Sequence, residues 1–333
     1  MPLRLLKIVG VATASSLLLA TGLAHGAGLS KYLELFSGQR LFYFWLSLFT
    51  VAATGFYLYR QRSFRASPWS YSFAMAGIAL LVNGASVLPY YLPASKPTEP
   101  TDPGRERNEF RLISFNLLGS LNFAYDDIFR FVETEKPDAI FFIEIRPHWI
   151  GKISKNLPDY PYRAQPFAHD GMLLSRVPFE KKRHHRPNEH RFSTFSEVAL
   201  LAANGRSLTF VGSHPPPYFF LGKRSYQRRN QTLRDGLAPF AASHPGPLVI
   251  MGDLNVDLWT PVFRQLLREG NLRDARQGFG VFPTDWQYPQ PLQRIFGRPI
   301  DHCLVSPDIK VTDFRLGPHL GSDHLPVIVE LSW

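Results

Sequence analysis

The stretch "VIMGDLNV" (residues 249–256) runs an apolar segment directly into a carboxylate, Asp253, and a carboxamide, Asn255. Residues two apart on a strand share a face, so these two side chains converge on one object. A buried strand that ends in polar groups brings them to the rim of a sheet, where hydrogen bonds or a metal ion satisfy them. The stretch therefore predicts a sheet whose rim carries a functional site.

Runs of strand and helix character surround this stretch along residues 110–333. The strand-like runs are RLISFNLL, DAIFFIEI, FSEVALL, SLTFVGSH, PLVIMGDLN, IDHCLVS and LPVIVELS. The helical runs are YDDIFRFVETEK, HWIGKISKNL, KRSYQRRNQTLRDGLAPFAA and TPVFRQLLREG. The dipeptide Asn204-Gly205 between two strand-like runs is a strong hairpin signal. Hairpins mixed with helical crossovers predict an α/β fold of two packed mixed β-sheets with helices outside.

The first part of the chain has a different character. Residues 41–59 and 71–92 contain no charged residue, and a helix needs roughly 20 apolar residues to cross the hydrocarbon core of a bilayer. Residues 8–29 are less apolar and fit either a third span or a cleaved signal peptide; we favour a retained span. Residues 1–92 are thus predicted to form a membrane anchor of two to three transmembrane helices.

A Pro-rich, charged segment, residues 93–109, follows the anchor and is typical of a stiff linker to a soluble domain at residues 110–333. This domain contains the rim site predicted above, so we call it the catalytic domain. Three arginines crowd the loop between the last two apolar segments (Arg60, Arg62 and Arg65), whereas Lys31 and Arg40 on the preceding loop are partly offset by Glu34. The positive-inside rule places the arginine-rich loop in the cytoplasm. The catalytic domain is then extracytoplasmic, as in a multi-pass protein of a bacterial inner membrane.

Composition limits the partners. The net charge is +10 and the pI about 9.7, which favours nucleic acid, acidic lipid headgroups or phosphorylated small molecules. Residues 1–104 hold 8 Lys/Arg against 3 Asp/Glu, a net of +5, so the catalytic domain is only mildly basic. The single cysteine, Cys303, excludes an internal disulfide and a cysteine-based metal cluster. No protein partner is inferred.

Several strand-like runs end in an acid, an amide or an imidazole. These residues are Asn116, Glu144, His214, Asp253, Asn255, Asp301, Asp323 and His324. Each alone has an ordinary explanation, because a strand-end Asp is usually a turn residue and a lone His is usually structural. Their joint occurrence in one order is what indicates a site.

The motifs that carry these residues are ISFNL, FFIEI, GSHPPP, GDLN, RPIDHCLVS and SDHLP. In this order they resemble the endonuclease/exonuclease/phosphatase superfamily of metal-dependent phosphoesterases, over about residues 110–332. The resemblance implies a four-layer α/β sandwich with one active site at the end of its two sheets. It also implies hydrolysis of phosphate esters.

Phosphate ester hydrolysis requires an activated water and neutralisation of the charge that grows on the phosphate oxygens. Position by position, the resemblance implies that Glu144 is the main Mg²⁺ ligand. Asn116 is implied to lie nearby on the metal or phosphate, with Asp323 in the metal environment. Such an oxygen-rich set suits Mg²⁺ and accepts Mn²⁺.

The remaining roles follow from the same resemblance. Asp253 is implied to orient or deprotonate the attacking water, and Asn255 to hold the water or the phosphate. His324, oriented by Asp301, is implied to contact the scissile phosphate, and His214 resembles the second histidine of deoxyribonuclease-like members. Many members carry an acidic residue two positions after the first-strand Asn; Leu118 occupies that position here, which argues against two metals.

The substrate is less well defined by the sequence. In the basic run KRSYQRR (223–229), Arg224, Arg228 and Arg229 fit phosphate contacts and fit a solvated helix face equally well. The first hypothesis is a nuclease that hydrolyses phosphodiester bonds of extracytoplasmic nucleic acid. The second is a phospholipid or headgroup phosphodiesterase or phosphatase. The third, ranked last, is a membrane-tethered binding module without catalysis.

Overall fold

The computed structural model describes residues 3–62, 64–93, 109–187, 194–202, 205–217, 222–285 and 292–333. The predicted linker therefore lies almost wholly outside the described residues, as does Asn204 of the predicted hairpin tip. All of the predicted site residues lie within the described ranges.

Four helices form the N-terminal bundle, which we call the anchor: α1 (Leu3–His25), α2 (Lys31–Gly38), α3 (Arg40–Arg60) and α4 (Pro68–Val87), with a 3₁₀ turn at Leu88–Tyr91. Three segments are long and apolar enough to cross a membrane: Arg4–His25, Arg40–Arg60 and Pro68–Tyr91. The Nδ2 of Asn83 on α4 donates to the Thr21 hydroxyl of α1 at 2.9 Å. The carboxyl ends of α1 and α4 and the start of α3 thus share one end of the bundle, where α2 lies.

In the described part of the catalytic domain there are twelve strands and six α-helices, besides one π-helical segment. The strands are β1 (Glu109–Asn116), β2 (Ala139–Ile143), β3 (Tyr162–Phe167), β4 (Gly171–Ser175), β5 (Phe179–His185), β6 (Phe195–Leu201), β7 (Ser207–Ser213), β8 (Leu248–Asp253), β9 (Arg273–Asp274), β10 (Asp301–Val305), β11 (Lys310–Leu316) and β12 (Val327–Ser332). The helices are α5 (Tyr125–Glu135), α6 (Pro147–Asn156), α7 (Gly222–Gln231), α8 (Ala238–Ser243), α9 (Pro261–Glu269) and α10 (Gln293–Phe296).

The strands form two six-stranded mixed sheets. The first has the order β11-β12-β1-β2-β4-β3 and the second β5-β6-β7-β8-β10-β9. In the first sheet β1 and β2 are parallel, and in the second β7 and β8 are parallel while β8 and β10 are antiparallel. The β6–β7 pairing confirms the predicted hairpin.

Three apolar layers separate the four structural layers. Phe141 of the first sheet and Phe210 and Met251 of the second belong to one buried cluster, which fills the space between the sheets. A second cluster joins the first sheet to α5 and α6, and a third joins the second sheet to α8 and α9. Two mixed sheets flanked by helices, after apolar N-terminal helices, confirm the predicted fold class.

The anchor packs directly on the second sheet's helical layer. Leu41 and Val87 of the anchor belong to the same buried cluster as Trp259 of the catalytic domain. A Cβ placed on Gly38 of α2 would lie 2.8 Å from a carboxylate oxygen of Asp257, so the two parts are in close contact. The anchor is therefore a structural neighbour of the domain and more than a tether.

Some elements depart from the sequence prediction. β5, which the sequence analysis did not predict as a strand, is an edge strand of the second sheet. Its charged, mostly exposed residues carry no apolar alternation. The single helix expected over residues 223–242 is divided by a π-helical segment, Thr232–Leu237. Pro239, at the start of α8, has no N–H to donate to a preceding carbonyl, so the regular α-helical pattern is interrupted there.

Candidate active site

The predicted strand ends meet at one rim. Parallel pairing of β1 with β2 puts Asn116 beside Ile143, directly before Glu144, and antiparallel pairing of β8 with β10 puts Asp253 opposite Asp301. The Asn116 Nδ2 donates to Glu144 Oε1 at 3.1 Å and to Asp253 Oδ2 at 3.3 Å. One amide therefore joins the ends of both sheets.

The backbone at this rim is unusual. Glu144 and Asn255 have φ of 58° and 51°, in the left-handed region that costs roughly 1–2 kcal/mol for residues other than glycine. The Asn255 N–H donates to Asp253 Oδ1 at 2.9 Å, and its side-chain amide donates to the Pro215 carbonyl at 3.1 Å. Gly252 has φ of 146°, and a Cβ there would lie 2.0 Å from the Ser213 carbonyl oxygen. Such strained backbone conformations persist at functional sites, where side chains must point in a fixed direction.

His324 is held by a buried carboxylate. Its Nδ1 lies 2.7 Å from Asp301 Oδ2. Burial alone lowers the pKa of His324, but the charges of Asp301 and Asp253 outweigh this effect and hold the pKa well above its usual value. The two carboxylates therefore favour the protonated, cationic form of the ring.

His214 has the same arrangement with a carboxylate that the sequence analysis did not single out. Its Nδ1 lies 3.1 Å from Asp170 Oδ1, in the turn between β3 and β4. Burial lowers the pKa of His214, yet Asp170 and Asp253 raise it to about 9. Burial raises the pKa of Asp170, but the His214 charge leaves it well below its usual range.

The two imidazoles flank one carboxylate. The Nε2 atoms of His214 and His324 each lie 3.7 Å from Asp253 Oδ2. Burial raises the pKa of Asp253 to about 6, although the His324 charge opposes this. Two cationic N–H donors beside a carboxylate can neutralise a phosphate while the carboxylate takes a proton from water.

The donor set fits a hard divalent cation. One buried carboxylate oxygen of Asp301 and one of Asp323 accept no hydrogen bond from the described residues. Ligand atoms of Asp253, Asp301 and His324 lie within 4.8 Å of one another. Burial raises the pKa of the Asp323 carboxyl, and the negative charge of Glu144 raises it further. Such a concentration of carboxylates fits Mg²⁺ or Mn²⁺.

The amide of Asn116 contacts groups on both sides of the rim. Its Oδ1 accepts the Leu118 N–H at 3.0 Å, so the amide nitrogen faces Glu144 and Asp253. If the amide were flipped, its NH₂ group would face the Leu118 N–H, and two donors would oppose each other. The orientation with Oδ1 towards Leu118 is therefore the consistent one. Asn116 thus orients the two carboxylates, and its Oδ1 keeps a second lone pair that can coordinate a metal ion.

A cleft of about 1090 Å³ opens beside these residues. Its lining includes Glu144, Asp170 and His214, and elsewhere it carries the guanidinium groups of Arg146, Arg186 and Arg228 beside the rings of His169 and His184. Arg224 is exposed one turn before Arg228, on the same side of α7. The prediction that Arg229 contacts phosphate is wrong, because its side chain is fully buried against Glu34 of the anchor.

Asp170→Asn tests the His214 pair through the pH dependence of stability. His214 has a folded-state pKa of about 9 against 6.5, so its contribution is complete below about pH 6.5 and disappears as the pH rises through 9. The low pKa of Asp170 keeps the contribution intact down to about pH 4. We expect Asp170→Asn to lower the free energy of unfolding by about 3–5 kcal/mol on this plateau, with the difference shrinking towards pH 10.

The measurement is thermal unfolding of both proteins in detergent between pH 5 and pH 10. Asp127→Asn is the matched control, since Asp127 pairs with Arg130 on the surface at 3.3 Å and such pairs contribute little. A difference between wild type and Asp170→Asn that stayed constant up to pH 10 would refute the charged pairing.

Comparison with known proteins agrees with this geometry. The sequence model described as the Endonuclease/Exonuclease/phosphatase family matches residues 113–324. No curated protein sequence matches significantly. The chain is similar to TDP2 of D. rerio, solved with a single-strand DNA product, with a TM-score of 0.55 and 16% identity over 67% of this chain and 98% of that one.

Two further structures have comparable similarity. Sphingomyelinase C of Streptomyces griseocarneus gives a TM-score of 0.51 at 16% identity, over 67% of this chain and 99% of that one. A beta toxin of Staphylococcus aureus with bound magnesium ions gives a TM-score of 0.50 at 16% identity, over 67% and 99%. At these identities the likeness shows the fold alone.

Proposed function

The chain belongs to the endonuclease/exonuclease/phosphatase family of phosphoesterase hydrolases, and from this membership we propose that it is a membrane-anchored, Mg²⁺-dependent phosphodiesterase. Residues 1–92 would be the anchor, 93–109 the linker and 110–333 the catalytic domain. The observation that carries the proposal is the pair of carboxylate-held histidines whose Nε2 atoms both lie 3.7 Å from Asp253 Oδ2. Three groups in that position match the needs of phosphodiester hydrolysis.

In the proposed mechanism Asp253 takes a proton from the attacking water or orients it. The imidazolium of His324 donates a hydrogen bond to the scissile phosphate and then a proton to the leaving oxygen, while Asp301 keeps its ring oriented. His214 supplies the second positive charge. Asn255 braces the His214 loop through the Pro215 carbonyl.

Glu144 and Asp323 are the proposed protein ligands of the metal ion, and Asp301, whose Oδ1 accepts no hydrogen bond from the described residues, is a further candidate. When bound, Mg²⁺ would neutralise charge on the phosphate oxygens and lower the pKa of a bound water. The beta toxin structure with magnesium supports this choice of ion. Asn116 keeps the carboxylates in place through its amide nitrogen.

We favour a phospholipid headgroup as the substrate because of where the cleft lies. Helix α7 directs Ser225 and Arg228 to the cleft, while Tyr226 donates to the Ala27 carbonyl of the anchor at 3.5 Å. A helix with side chains is about 10–12 Å wide. The cleft is thus roughly one helix away from the extramembrane end of the anchor, and Arg228, with Arg224 beyond it, would meet an anionic headgroup there. The similarity to sphingomyelinase C is consistent with this substrate.

A nuclease is the second candidate, since three arginines line the cleft and the TDP2 structure holds a DNA product. In either case the anchor would hold the domain outside the cytoplasm, since Arg60 and Arg62 follow the end of α3 that is opposite its domain-contacting start, and the positive-inside rule assigns such arginines to the cytoplasm. That orientation fits a bacterial inner membrane.

Hydrolysis assays on the full-length protein in lipid nanodiscs decide between these substrates. We expect turnover of phospholipid vesicles and of a chromogenic phosphodiester with Mg²⁺, loss of turnover with EDTA, and a fall in kcat of about 10²–10⁴ in Asp253→Asn. Plasmid DNA, single-stranded DNA and RNA are assayed in parallel at rising salt, because nucleic-acid binding weakens steeply with salt.

Thermal unfolding of Asp253→Asn serves as the control for folding. Salt-sensitive turnover of nucleic acid without turnover of vesicles would replace the lipid substrate by the nuclease. A folded wild type that turned over none of these substrates and bound no Mg²⁺ would refute the enzyme and leave the binding module.

A further inference from the structure

A buried ion pair joins the anchor to the catalytic domain. Arg229 of α7 and Glu34 of α2 are 0% and 1% exposed, and they meet in a bidentate contact, Nη1 to Oε1 at 2.5 Å and Nη2 to Oε2 at 2.7 Å. Glu34 lies in the segment between the first two candidate membrane spans. The partners are 195 residues apart in sequence.

The guanidinium of Arg229 is fully engaged. Its Nε and Nη2 donate to Asn230 Oδ1 at 3.0 and 2.7 Å, and its Nη1 also donates to the Asn255 carbonyl at 2.7 Å. Together with the Glu34 contacts, these bonds use all five N–H donors of the side chain. An arginine held this way has one orientation, and Glu34 supplies the carboxylate among these acceptors.

The contact to Asn255 reaches the catalytic rim. Asn255 has φ of 51°, and the turn that it forms presents its N–H to Asp253 Oδ1 and its side chain to the loop after His214. A strained turn persists only where its surroundings hold it. The Arg229 bond to the Asn255 carbonyl is one such restraint, and Glu34 of the anchor holds the guanidinium that makes it.

We propose that Glu34 is a positioning residue for the catalytic site, which fixes the Asn255 turn through Arg229 and so aims Asp253. The kinetic part of this inference rests on the phosphodiesterase function proposed above. The structural part, that an anchor residue restrains a turn of the catalytic rim, stands without it. The membrane anchor is accordingly a component of the active site.

Glu34→Gln is the first test, because it keeps the shape of the side chain and removes its charge and one acceptor oxygen. In full-length protein in nanodiscs we expect kcat on the chromogenic phosphodiester to fall about 10- to 100-fold, as small misplacements at an active site do, with KM changed less than about twofold. Gln39→Ala is the matched control, since Gln39 donates to the Phe296 carbonyl across the same interface at 3.4 Å and touches no site residue. It should leave kcat unchanged.

Hydrogen–deuterium exchange of the segment 252–257 supplies a readout independent of activity. We expect faster exchange there in Glu34→Gln than in wild type or Gln39→Ala. If wild type turns over no substrate, the proposed function fails, and the exchange measurement still decides the positioning role.

The double variant Glu34→Leu/Arg229→Met separates positioning from docking. Apolar replacement of both members of a buried ion pair often preserves stability, so the melting temperature should recover relative to Glu34→Gln. No donor to the Asn255 carbonyl would remain at position 229, so we expect kcat to stay low and exchange to stay fast. Recovery of both, or a Glu34→Gln protein with wild-type exchange over 252–257, would overturn the proposal.

Discussion

Replacement of His324 by glutamine lowers kcat on a phosphodiester by about 10²–10⁴, the range that a positioned acid or base contributes. The buried imidazole is held by Asp301 at 2.7 Å, and its pKa lies well above the usual value, so glutamine removes a cation and a proton donor together. Asp301→Asn should cost less, because the ring stays and only its orientation and charge are weakened. The measurement is kcat with a saturating chromogenic phosphodiester.

His244→Gln is the control. The His244 ring stacks on Phe240, with 5.7 Å between the ring centroids, and it is not one of the site residues. It should retain wild-type kcat. If His324→Gln also retained it while folded, the assignment of the site would be wrong, because no other described histidine pairs with Asp301.

Removal of the metal ion abolishes turnover, and Glu144→Gln raises the Mg²⁺ concentration needed for half-maximal activity. Loss of an outer-sphere partner alone costs about 10- to 100-fold in metal affinity, and loss of a charged ligand should cost at least that. Glu144 has a strained φ of 58°, and such strain is retained where a side chain must be held in one direction. Activity against Mg²⁺ concentration, with Mn²⁺ binding followed by electron paramagnetic resonance, measures both effects.

Glu133→Gln provides the comparison, because Glu133 is exposed on α5. Its Mg²⁺ titration should superimpose on that of wild type. Turnover that survived EDTA, or a Glu144→Gln titration identical to that of wild type, would exclude Glu144 as the metal ligand.

Much of the catalytic rim was predictable from sequence because it is built at strand ends. Asn116, Glu144, Asp253 and Asp301 each adjoin a short buried strand, and pairing of those strands brings their ends together. Polar residues at the ends of buried strands must find hydrogen-bond partners or a metal ion, and these are available at the rim of the sheet. The local signal therefore contained most of the geometry.

Asp170 was missed because its local signal has another meaning. It lies in the β3–β4 turn, where Asp before Gly171 is an ordinary turn signal. Its role depends on β7 delivering His214 to that turn, across 44 residues of sequence. The one hint in the sequence was the adjacent pair of His169 and Asp170, and such pairs are common in turns.

The Glu34–Arg229 pair was beyond prediction for the same reason at greater range. In the sequence, Glu34 is explained as a charge that balances Lys31 and Arg40 nearby. Arg229 is explained as one member of the basic run 223–229. Neither suggests burial, since charged residues are rarely fully buried unless paired. Which partner each finds is decided by the docking of the anchor on the second sheet's helical layer, and no local pattern encodes it.

The ion pair also has a consequence for the order of biosynthesis. Glu34 is synthesised 195 residues before Arg229, which at about 5–20 residues per second is a delay of roughly 10–40 s. The nascent anchor can be inserted in that interval, while the hydrolase behind it still lacks the contact that completes its turn. Hydrolytic competence would then be gained only by chains whose two parts have docked, so premature or clipped products would be the least active ones.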